Sequence, residues 1–94
     1  MKDNTTQQKI ELLFDNFKEF LKEKNKRYGD SALNGEHIFC NLDANHQIRI
    51  RLDDKLSRIK CASELRKNDV CDVFGYVALL MIENNWLEFD DLLD

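Results

Sequence analysis

Two carboxylates, Asp69 and Asp72, stand three residues apart in the stretch "KNDVCDVFGY", and Tyr76 follows four residues later. At helical spacing all three share one face. Adjacent carboxylates repel each other unless a cation sits between them. A hard divalent ion such as Mg²⁺ suits carboxylate oxygens, and an arginine or lysine is the other solution. The cations are close in sequence: Arg51, Lys55 and Arg58, with Asp54 among them, form a stripe in "RLDDKLSR". Arginine and lysine offer charge-assisted donors to phosphate. Two readings stay open from spacing alone. The two stripes can face each other as an ion-pair network on a solvated surface, or the cations can hold phosphates, with or without metal on the acids. Asp54 and Arg58 are also spaced for an ion pair within one helix.

These residues need rigid elements to carry them. Apolar positions at Ile10, Leu13, Phe14, Phe17, Phe20 and Leu21 recur with helical period, so a first helix is expected over about 5–28. Asn4 or Thr5 can cap it. Lys22, Lys24, Lys26 and Arg27 crowd its end, where cations complement the helix dipole, and Gly29 suits the residue after it. Residues 29–46 show no period and are rich in turn formers, so they read as a long loop. In "HQIRIRLDDKLSRIKC" the alternation of Ile48, Ile50 and Leu52 looks strand-like. Yet Ile48, Leu52, Lys55, Leu56 and Ile59 share a helical face, only Ile50 falls off it, and no β-partner is evident elsewhere. A second helix over about 44–61 is the reading. The third carries Val70, Val73, Phe74, Val77, Leu80 and Met81, with Ser63 or Asn68 as candidate caps and Asn84-Asn85 at its end. It is apolar round most of its circumference, so it is expected to be the most buried. Gly75 in its middle points to close approach of another helix, since glycine there costs about 1 kcal/mol against alanine. The tail "WLEFDDLLD", residues 86–94, suits a short amphipathic helix packing on the domain or on a partner. The expectation is one all-α domain over residues 1–94: three long helices plus a short C-terminal one, in a small bundle that oligomerises.

Composition narrows the classes. With 14 basic and 18 acidic residues the net charge is −4, which disfavours general nucleic-acid binding. At 94 residues a single core is marginal, which favours self-association. No apolar run is long enough to span a bilayer, and the first residues lack the apolar core of a signal peptide, so a cytoplasmic protein is expected. Cys40, Cys61 and Cys71 are widely spaced and form no zinc pattern with His37 and His46; they read as small, semi-buried thiols. Ser31, Ser57 and Ser63 have no evident His–acid partners, and no catalytic residue is singled out.

The order of features is a further clue. "NKRYG" closes the first helix, a long loop follows, then "RLDDKLSRI" and "ELRKNDVCDVFGY". Over about residues 20–82 this resembles small phage and prophage proteins of the MazG-like, all-α nucleotide pyrophosphohydrolase type. The resemblance implies a bundle that dimerises or assembles further, in the host cytoplasm if phage-borne. It implies Mg²⁺ on paired carboxylates, with the metal activating water to cut a nucleoside triphosphate between its α and β phosphates. Asp69-x-x-Asp72 occupies the place of the family's ExxD, and Glu64 and Asp54 are further candidate ligands. No ExxE stands on the second helix, where Asp54 is followed by Ser57 and Asp53 by Leu56. Arg51, Lys55 and Arg58 would hold phosphates. Tyr28 or Tyr76 would stack on a base or bond a sugar, and Asn34 would contact ligand from a lid formed by the 29–46 loop. Two alternatives remain: a non-catalytic protein that sequesters a nucleotide, including a cyclic signalling nucleotide of host defence, and a protein-interaction module acting through the tail.

Overall fold

The computed structural model describes residues 5–27 and 43–93. The described residues are all-α, with no strand: α1 spans Thr6–Arg27, α2 spans Ala44–Cys61, α3 spans Lys67–Glu83, and a single 3₁₀ turn spans Asp90–Leu92. The chain divides into two compact units, residues 1–30 and residues 31–94.

The first unit holds α1. Thr5 starts it with a reciprocal cap: the Gln8 backbone N–H donates to Thr5 Oγ1 at 3.2 Å, and the Thr5 N–H donates to Gln8 Oε1 at 2.8 Å. Two orphan donors at the helix start are thereby satisfied. Lys24, Lys26 and Arg27 fill the last turn, and Arg27 Nε donates to Glu23 Oε1 at 3.1 Å. Phe17 and Phe20 pack with ring centroids 5.9 Å apart, and the Lys24 ammonium lies 5.2 Å above the Phe20 ring. None of the residues of α1 is fully buried; Ile10, Leu13, Phe14 and Phe20 stay exposed.

The second unit is an antiparallel pair of helices. The start of α2 meets the end of α3 at Asn45 and Asn84, and further along Lys55 meets Asp72. Asp43 caps α2 by accepting from the His46 N–H at 2.9 Å, and His46 Nδ1 lies 2.8 Å from the same oxygen. Both hydrogen bonds hold the Asp43 carboxyl below its ordinary value, the backbone one contributing more. The strand-like alternation resolves as helix: Ile48 is 1% exposed, and Ile50 points to solvent. The expected helical face is covered at Ile48, Leu52, Lys55 and Ile59, while Leu56, expected on the same face, is exposed.

The turn into α3 differs from expectation. Neither Ser63 nor Asn68 caps it. Arg66 occupies the cap position with no side-chain bond, and Asn68 is already inside the helix. The far end follows the expected Asn84-Asn85 stop. Asn85 adopts a left-handed φ of 58°, its N–H donates to the Ile82 carbonyl at 3.0 Å, and the Trp86 N–H reaches back to the Met81 carbonyl at 2.8 Å. This double reversal satisfies the last carbonyls, and asparagine tolerates the left-handed position better than most residues. Every residue of α3 from Cys71 to Leu80, Gly75 included, is half-buried and none fully. The described hydrophobic core is Ala44 and Ile48, both from α2. The tail forms the 3₁₀ turn and no longer helix, with Trp86, Leu87, Phe89, Leu92 and Leu93 exposed.

Candidate functional site

The polar residues singled out on α2 and α3 meet along the seam between the two helices. Lys55 Nζ lies 3.0 Å from Asp72 Oδ2, and the two side chains are 21% and 26% exposed. The expectation that cations of one helix face acids of the next is met here by this ion pair. Asp69, one turn nearer the start of α3, is 4% exposed. A carboxylate in a first helical turn is favoured by the unsatisfied N–H groups and the positive end of the dipole, which offsets part of its desolvation.

Arg51 and Arg58 flank Lys55 on the same stripe, four residues before it and three after, and both are exposed. Neither guanidinium has an ion-pair partner among the described residues. Asp54 is exposed as well, and the anticipated Asp54–Arg58 pair within α2 does not form. The stripe from Arg51 to Arg58 extends about 10 Å along the axis. Its centre is held by α3 while its two ends remain in water. Tyr76 sits one turn beyond Asp72 and is half-buried.

Asp54, Glu64, Asp69 and Asp72 are the candidate Mg²⁺ ligands. An ammonium already stands at hydrogen-bond distance on Asp72. Asp54 faces solvent on α2, and Glu64 is exposed in the turn between the helices. Among the described residues no group of three or more acids, histidines and cysteines is placed to share an ion. A divalent ion on Asp72 would share or compete for the carboxylate with Lys55. Tyr28 and Asn34, together with the 29–42 part of the anticipated lid, lie outside the described residues. Cys61 is exposed rather than semi-buried, Cys71 is half-buried, and Cys40 lies outside the described residues.

Spacing did not point to the second polar contact of the seam. Asn45 Nδ2 donates to Asn84 Oδ1 at 2.9 Å, and Asn84 Nδ2 donates to the Leu80 carbonyl at 2.8 Å. Asn45 Oδ1 is buried with no hydrogen-bond partner among the described residues. Asn84 is legible in sequence only as a helix stop, because its partner lies 39 residues away. Polar pairs at two points along a weakly covered seam, Asn45–Asn84 and Lys55–Asp72, fix its register, since sliding one helix would strand them.

No described helix is long and apolar enough to cross a membrane. Comparison of the chain with protein-family models, with curated proteins and with solved structures finds no match.

Proposed function

We propose that this chain is a nucleotide-binding protein of the MazG-like type, acting as a homo-oligomer in the cytoplasm, the host's if it is phage-borne. The ligand's phosphates lie along Arg51, Lys55 and Arg58. The observation that carries this reading is the pair of exposed guanidiniums with no acid partner among the described residues, set on either side of an anchored lysine. Planar guanidinium groups bind phosphate oxygens in pairs, and Lys55 adds a point charge between them. Tyr76 offers a ring or hydroxyl to the nucleoside part.

The Lys55–Asp72 pair favours binding without hydrolysis over Mg²⁺-dependent pyrophosphate release, because a metal on Asp72 would have to compete with an ammonium already at hydrogen-bond distance. Sequestration of a linear or cyclic nucleotide is therefore the form of the function adopted here. Calorimetry with nucleoside triphosphates and cyclic dinucleotides, each with and without Mg²⁺, tests it. Binding that does not need the metal, recovery of unmodified ligand by mass spectrometry, and at least tenfold weakening in Arg51→Ala or Arg58→Ala support the reading. No heat with any nucleotide removes it, and metal-dependent release of pyrophosphate restores the enzymatic alternative.

A second reading, a protein-interaction module, has its own observation: the exposed apolar residues of the tail. Deleting residues 86–94 separates the two, since loss of a protein partner with intact nucleotide affinity assigns the tail to interaction.

A further inference from the structure

The two polar contacts between α2 and α3 define the two sides of their seam. Asn45 meets Asn84 toward one side, and Lys55 meets Asp72 toward the other. On α2, Arg51 and Arg58 lie about 40° and about 60° round the axis from Lys55, both away from Asn45. On α3, Tyr76 and Asp69 lie about 40° and about 60° from Asp72 toward the Asn84 side, so they face α2. The burial of Asp69, 4% exposed, agrees with that placement. Leu79, Asn68 and Gly75 lie about 20°, about 40° and about 60° from Asp72 the other way, on the side of the seam that Arg51 and Arg58 occupy.

The helices are antiparallel, so one turn back from Lys55 along α2 is one turn on from Asp72 along α3. Arg51 is therefore level with the turn of Gly75 and Tyr76, and Arg58 with that of Asn68 and Asp69. The two ends of the cationic stripe differ in chemistry. Beside Arg58, α3 carries an exposed amide and a carboxylate. Beside Arg51 it carries Gly75 and, one turn further, Leu79, both half-buried and neither charged. The contact with α2 does not account for the glycine, because α2 packs on the side of Asp69 and Tyr76. Glycine inside a helix is disfavoured against alanine and is used where something must come close to the backbone, a ligand included.

We propose that Gly75 is a specificity-determining residue of the nucleotide site: its missing side chain admits the nucleoside beside Arg51, while the phosphates run toward Arg58. The proposal rests on the nucleotide-binding reading above and adds the direction of the ligand. Phosphates need cations, which both ends of the stripe offer. A base needs an apolar wall with nothing in its path, and of the two ends the Arg51 end offers that, with Leu79 as the wall and Gly75 as the gap.

Calorimetry without metal compares wild type and Gly75→Ala, with inorganic triphosphate and the four ribonucleoside triphosphates as probes. Wild type should bind at least one nucleotide more tightly than inorganic triphosphate. Gly75→Ala should weaken that nucleotide about tenfold, bind inorganic triphosphate within about twofold of wild type, and unfold at a higher urea midpoint, since alanine favours the helix. Direction is read with the matching monophosphate: Arg51→Ala should weaken mono- and triphosphate alike, and Arg58→Ala the triphosphate far more. Gly75→Ala that binds every probe as wild type does, or loses nucleotide and inorganic triphosphate equally, overturns the proposal and leaves the phosphate stripe standing. The reverse pattern in the arginine variants overturns the direction. A wild-type chain that binds none of the probes removes the nucleotide reading itself and the proposal with it.

Discussion

Asp72→Asn gives stability and binding opposite signs. Lys55 Nζ and Asp72 Oδ2 are 3.0 Å apart, with about a quarter of each side chain exposed. Exposed pairs contribute about 0.2–1 kcal/mol, whereas removing one partner of a fully buried pair costs about 3–5 kcal/mol. The burial of this pair lies between the limits, so orphaning Lys55 should cost about 2 kcal/mol of folding stability. The same change frees an ammonium between two guanidiniums that have no acid partner among the described residues. One added charge-assisted contact contributes about 1.5 kcal/mol, so nucleotide affinity should rise roughly tenfold. Lys55→Met should lower both stability and affinity, and Lys55→Met/Asp72→Leu should recover stability but not affinity. Urea denaturation gives the first quantity and calorimetry with a nucleoside triphosphate the second. If Asp72→Asn binds no better than wild type, or Lys55→Met binds as well, Lys55 is a structural lysine and the phosphate stripe is wrong.

Ile48→Ala should be among the most damaging single changes: Ile48 is 1% exposed, and truncating it should cost about 2–4 kcal/mol, read as a lower urea midpoint. The Asp43 carboxyl is held below its ordinary value by the hydrogen bonds from His46, so its contribution is fully present above pH 3.8 and is lost as pH falls through the lowered folded value. The stability gap between wild type and Asp43→Asn, followed by circular dichroism, should close in acid; a gap of equal size at pH 6 and in strong acid would show that the charge contributes nothing.

Much of the secondary structure is legible in the chain because it is local. The reciprocal Thr5–Gln8 cap, the Asp43 start, the apolar period of α2 and the Asn84-Asn85 stop are all decided within a few residues of themselves. The tail was legible in composition but not in conformation. Nine residues are too short to hold a helix without a surface to pack on, and the tail keeps only a 3₁₀ turn.

The sequence by itself determined that α2 carries cations, that α3 carries acids, and that each set lies on one helical face. Periodicity suffices for that. Tertiary structure decided which of them meet. It paired Lys55 with Asp72, left Arg51, Asp54 and Arg58 in solvent, buried Asp69, and joined Asn45 to Asn84. Those outcomes depend on the register of two antiparallel helices. A shift of one turn would exchange every partner across the seam without altering the spacing within either helix.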